Sequence, residues 1–140
     1  MSNPGGDTYT PASGIWQTVW MELVAKQCAI ESYQVIAVDI SGGSVQINVS
    51  LSNTDCGDHS VKATIYDRKS NAQIVSDVLT ANKFQTLVIP HNSLRLWDPR
   101  DEAYLYGLKL TSATDSVDAY FGVRSFTLAN YYAPDTGAQV

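Results

Sequence analysis

The stretch Ser44-Val45-Gln46-Ile47-Asn48-Val49-Ser50-Leu51-Ser52 decides the fold. Val45, Ile47, Val49 and Leu51 fall on one face of an extended chain, and Gln46, Asn48 and Ser50 fall on the other. Side chains of a strand alternate with a period of two, so this segment reads as a strand half-buried against a second sheet. Gly42-Gly43 just before it is a turn. Similar runs keep the same period at Ile15–Leu23, Ile30–Ile40, Val61–Asp67, Ile74–Val78, Phe84–Ile89, Tyr104–Thr111 and Val117–Leu128. The intervening Asn53-Thr54-Asp55-Cys56-Gly57-Asp58, Arg68-Lys69-Ser70-Asn71 and Thr114-Asp115 carry turn chemistry. No window of a dozen residues holds a helical stripe, so the sequence predicts an all-β domain. Seven to eight short antiparallel strands separated by regular turn signals predict an immunoglobulin-like β-sandwich, with a jelly roll or small barrel as the alternative.

The chain has 140 residues, one domain's worth, with 44% hydrophobic and 10% aromatic residues to build a core. That length excludes a (β/α)₈ barrel, which needs at least about 200 residues. Nine Lys and Arg against fourteen Asp and Glu give a net charge of −5, which opposes nucleic-acid or anionic-membrane partners. No run approaches the roughly 20 apolar residues of a membrane helix, because Gln17, Asp39 and Asn48 interrupt the longest candidates. The opening Met1-Ser2-Asn3-Pro4-Gly5-Gly6 lacks the pattern of a signal peptide, so the compartment stays open. Residues 1–13 and 131–140 are rich in small and polar residues and read as a flexible segment and a linker.

Chemistry has little to draw on. The chain has three glutamates (Glu22, Glu31, Glu102) and two histidines (His59, His91). Asp98, Asp101 and Glu102 could pair as glycosidase carboxylates, but they sit beside Pro99 and Arg100 in an evident turn and read as solvated. There is no nucleophile elbow, P-loop or dinucleotide fingerprint. Cys56 and His59, with Asp55 and Asp58, resemble half a metal site but lack the second pair that would close it. We therefore expect no catalytic residue, no metal and no cofactor. Cys28 and Cys56 are candidates for a disulfide, which would stabilise the fold by roughly 3–4 kcal/mol on the chain-entropy estimate. No Trp lies between them, so they are not the inter-sheet pin of antibody domains. Asn48-Val49-Ser50 is a glycosylation sequon, which arises by chance as well as by function. Trp97, Tyr104 and Tyr106, with Trp16 and Trp20, could form an aromatic platform for sugar rings, core packing being the alternative. Residues 15–23 carry apolar bulk on both faces, Trp16 and Trp20 opposite Ile15, Val19, Met21 and Leu23, which suggests burial on both sides.

Three segments carry a resemblance. Ser13-Gly14-Ile15-Trp16-Gln17-Thr18-Val19-Trp20-Met21-Glu22 resembles the SGIWQTVWLE passage that ends the sugar-binding jelly roll of glycoside hydrolase family 2, the family of β-galactosidases, β-glucuronidases and β-mannosidases. Leu96-Trp97-Asp98-Pro99 followed by Tyr104-Leu105-Tyr106 resembles the LWSP…LY element of that family's immunoglobulin-like domain. Val117-Asp118-Ala119-Tyr120-Phe121-Gly122-Val123-Arg124 resembles its D…FGxR strand leading into the catalytic barrel. Asp98 stands where the family often has Ser, and Glu102 where a second Pro is common. The resemblance implies a strand of the preceding jelly roll at residues 14–24, an immunoglobulin-like domain at 25–130, and a linker toward a barrel at 131–140. It also implies that the family's two catalytic glutamates lie on that barrel, and this chain has no Asn-Glu dipeptide of the kind that carries the acid/base residue. On this reading the chain is a non-catalytic scaffold domain of a retaining glycosidase and is a monomer when isolated; the parent's compartment is open between secreted or periplasmic and intracellular. Its partners are the neighbouring sugar-binding and barrel domains, and Trp16, Trp20 and Arg124 pack against them. The alternatives are an independent carbohydrate-binding module and an adhesion-type sandwich that pairs with another protein.

Overall fold

The computed structural model describes residues 14–52 and 59–126. Among the described residues seven strands succeed one another: β1 (Ile30–Asp39), β2 (Ser44–Leu51), β3 (Ser60–Asp67), β4 (Gln73–Thr80), β5 (Gln85–Val88), β6 (Tyr106–Thr111) and β7 (Ser116–Phe121). One three-residue 3₁₀ turn, His91–Ser93, separates β5 from β6. All pairings are antiparallel, in a three-stranded sheet ordered β1-β2-β5 and a four-stranded sheet ordered β4-β3-β6-β7. The all-β sandwich expected from the sequence is the observed fold. Its fourth strand joins β3, whereas in constant-type immunoglobulin domains the fourth strand joins the sheet of the first two.

Alternation places the core. Along β2 every second residue is buried, with Val45, Ile47 and Val49 at 1% exposure or less. From the other sheet Val61, Ala63 and Ile65 of β3 and Tyr106, Leu108 and Leu110 of β6 turn inward to meet them in one cluster. Each large aliphatic side chain so buried contributes roughly 1.5–3 kcal/mol of transfer free energy. The β1–β2 turn requires Gly43. Its φ of 68° favours glycine, its N–H donates to the Ile40 carbonyl, and its carbonyl accepts from Ile89 N–H at 2.9 Å. A Cβ there would collide with the Ile89 carbonyl oxygen.

The chain approaches β1 along the β6–β7 turn. Ile30 N–H donates to Asp115 Oδ2 at 2.8 Å, and the hydroxyls of Ser112 and Thr114 donate to the Cys28 carbonyl at 3.3 and 3.2 Å. Ser112 N–H in turn donates to the Asp115 carbonyl and closes that turn. Two expectations are corrected. Residues 15–23 form no strand, because a strand needs a neighbour for its backbone groups and none pairs with this segment among the described residues. The last strand ends at Phe121, and the remainder of the Val117–Leu128 run that is described continues without ladder bonds.

Candidate functional site

The turn that joins β3 to β4 is held by one carboxylate. Asp67 Oδ1 accepts from the backbone N–H groups of Lys69 and Ser70 at 2.8 and 2.9 Å, and its Oδ2 accepts from the Tyr104 hydroxyl at 2.6 Å. The Tyr104 bond first, and the backbone donors next, hold this carboxyl well below the usual carboxylate range. Burial, and then the bond to Asp67, push the Tyr104 phenol up to about 12. Above the Tyr104 ring lies the Arg95 guanidinium, 4.9 Å from its centroid. Glu102 bridges Lys69 and Arg95.

Tyr106, two residues on, is fully buried. Its hydroxyl donates to the Ser93 carbonyl at 2.8 Å and accepts from Arg95 N–H at 2.5 Å. This ties the loop before β6 to the start of the sixth strand, as a tyrosine corner does. The loop then delivers Trp97, whose N–H donates to the Val123 carbonyl at 2.8 Å. Trp97 packs on Gly122, where a Cβ would lie 3.1 Å from the Trp97 Cβ. Arg124 stacks between two rings, its guanidinium 5.0 Å from Trp97 and 4.4 Å from Phe126. Trp97, Leu105, Gly122 and Arg124 line a shallow recess there. Beside it Asp98 accepts from the Arg100 side chain at 2.9 and 3.1 Å and from Arg100 N–H at 2.9 Å. These bonds hold the Asp98 carboxyl down to about 2 and hold the Arg100 guanidinium up. Asp98 is thus held in an ion pair inside its own turn.

The remaining candidates are scattered over the sandwich. Tyr104 and Tyr106 share the inner face, 5% and 0% exposed, and meet edge to face at 4.8 Å. The sugar platform expected from Trp97, Tyr104 and Tyr106 is therefore corrected: alternation turns both tyrosines into the core, and they offer no open ring face. The aromatics that do turn outward on the same sheet are Tyr66 and Tyr120. Alternation along β3, with Val61, Ala63 and Ile65 inward, is the signal in the sequence that points to Tyr66. Trp16 and Trp20 are 86% and 76% exposed, in a run where Ile15, Val19, Met21 and Leu23 are exposed as well. Cys28 is disulfide-bonded. Cys56, with Asp55 and Asp58, lies outside the described residues. Asn48 lies on the outer face of the central strand β2, half-buried, with its Oδ1 shielded from solvent and lacking a hydrogen-bond partner. Among the described residues no three His, Cys, Asp or Glu side chains gather as a metal site would require.

Comparison with known proteins gives two positive findings. A family model described as Glycosyl hydrolases family 2 matches residues 28–124. A β-glucuronidase of Parabacteroides merdae, solved with glycerol in its active site, matches over 76% of this chain at 17% identity, with a TM-score of 0.46. This chain spans 14% of the length of that one. No curated protein sequence matches.

Proposed function

The chain belongs to glycosyl hydrolases family 2, and from that premise we propose that its sandwich is a non-catalytic spacer between a sugar-binding module and a catalytic barrel. The observation that carries this reading is where the chain enters and leaves. The segment before β1 is bonded to Ser112 and Thr114 at the start of β7, while Trp97 and Arg124 lie beyond the far end of that strand. Six residues of β7 intervene, about 20 Å at roughly 3.3 Å per residue. A domain entered at one end and left at the other holds its two neighbours apart.

Both ends present surfaces that suit such neighbours. Residues 15–24 carry seven exposed large apolar side chains, more than an isolated surface favours. In this reading residues 14–24 supply the last strand of the preceding module, where Trp16 and Trp20 on one side and Ile15, Val19 and Met21 on the other are covered. The Trp97–Arg124–Phe126 stack faces the barrel, reached through residues 131–140. The glutamates that cleave the glycosidic bond belong to that barrel.

The purified chain, assayed with 4-nitrophenyl β-galactoside, β-glucuronide and β-mannoside, should release no nitrophenol. Turnover abolished by Glu102→Gln or Asp101→Asn would overturn the reading. A second measurement concerns the apolar run: Trp16→Ala and Trp20→Ala should lower binding of a hydrophobic dye without moving the melting temperature. Unchanged dye binding in the double variant would count against an uncovered surface there.

A further inference from the structure

We propose that the outer face of the four-stranded sheet binds an acidic saccharide, a glycan unit bearing a carboxylate. The register sets out this face in levels. Tyr66 of β3 pairs with Gly107 of β6, and Gly107 pairs with Tyr120 of β7, so the three lie side by side. The Tyr66 ring lies flat over Gly107, where a Cβ would collide with three of its ring carbons. Glycine here leaves the sheet bare and the tyrosine covers it as a flush aromatic surface. Tyr120, one strand over, is 63% exposed, and the Arg68 guanidinium sits 4.9 Å from its ring centroid.

The next level along the strands places Thr64, Lys109 and Asp118 in register, and the one after it Lys62, Thr111 and Ser116. Levels on one face are two residues apart, roughly 7 Å, and strands are about 4.8 Å apart. Aromatic faces and hydrogen-bonding side chains are thus separated by about the width of a pyranose ring. The C–H face of a sugar can lie on a tyrosine while its substituents reach the neighbouring level.

Charge selects the kind of sugar. The face carries Lys62, Arg68 and Lys109 against Asp118, a local excess of two positive charges in a chain whose net charge is −5. Among the described residues none of these three cations is in ion-pair contact with a carboxylate, although Lys109 stands across from Asp118, whereas Lys69, Arg95 and Arg100 all are. An unpaired cation beside an aromatic surface complements a ring whose edge bears a carboxylate.

Calorimetric titration with tetragalacturonate, with its neutral counterpart galactotetraose and with tripolyphosphate tests this site. Saturable binding of tetragalacturonate is expected, weakened at least tenfold by Tyr120→Ala and by Lys109→Ala with melting temperatures unchanged. Both residues are exposed, so their replacement leaves the core intact; Tyr66→Phe should retain binding. Absence of tetragalacturonate binding would overturn the proposal. So would equal binding of galactotetraose, equal binding of tripolyphosphate, which would mark a bare cationic patch, or undiminished affinity in both alanine variants. The spacer reading does not depend on any of these results.

Discussion

Replacing Tyr106 by Phe removes one oxygen atom from the centre of the structure and leaves the ring. That ring remains stacked on Phe121 at 5.4 Å and meets Tyr104 edge to face, so apolar burial is unchanged. What is lost is the bond to the Ser93 carbonyl and the bond from Arg95 N–H. Burial pushes the Tyr106 phenol up from its ordinary pKa, so the hydroxyl is neutral at pH 7 and these are neutral hydrogen bonds. A net intramolecular bond is worth about 1 kcal/mol, and leaving a partner unsatisfied costs about 1–3 kcal/mol. Ser93 is half-buried and Arg95 exposed, so water recovers part of that loss. The expected destabilisation is about 2 kcal/mol, or about 10 °C in melting temperature for a domain near 100 residues. Urea unfolding followed by circular dichroism should show a lower midpoint with an unchanged slope. Hydrogen exchange should also report faster opening at the Trp97 amide, because the loop tied by Tyr106 delivers that residue to Val123. If Tyr106→Phe melts within a degree of the unmodified protein, the hydroxyl does not hold the loop and this account of the site's positioning fails.

Further outcomes can be measured on the same protein. The Asp67 carboxyl titrates below its unfolded value of about 3.9, so the stability it contributes is complete above about pH 4 and is lost as pH falls. Tyr104→Phe should flatten this acid limb in urea titrations; an unchanged limb would show that another group controls it. Tyr104 itself is held up at about 12, so its contribution is complete below about pH 10 and disappears as pH rises through 12, a loss that Tyr104→Phe should abolish. Gly43→Ala meets both a left-handed φ and the Ile89 carbonyl, and should cost about 2 kcal/mol or more by thermal unfolding; a neutral result would disprove the tight turn. Ile65→Ala, at a position with 0% exposure, should cost about 2–5 kcal/mol in urea unfolding, and a cost under 1 kcal/mol would contradict a close-packed core there.

Strand positions are legible wherever one face is apolar and the other polar. Val45 through Leu51 is the plainest case, and the structure buries the expected four residues. The period tells which residues share a face; it does not tell which face turns inward when both are apolar. It groups Tyr104 with Tyr106, yet their side of the sheet is set by the register of β6 against β3, which only the folded chain displays. For the same reason the outward pair Tyr66 and Tyr120, fifty-four positions apart in sequence, meets only through Gly107. Residues 15–23 have the composition of a strand, but strand formation depends on a neighbour as much as on propensity. The choice of β4 to join β3 is likewise unreadable, since nothing in Gln73–Thr80 names its sheet.

The route by which the backbone enters beside the β6–β7 turn and departs past the opposite end of β7 also determines how tension would travel. A pull between those points runs along the strands, not across them, so ladder bonds would be strained in parallel rather than opened one after another. Antiparallel ribbons loaded in this direction resist stretching, so a spacer of the kind proposed would keep its two ends apart under load.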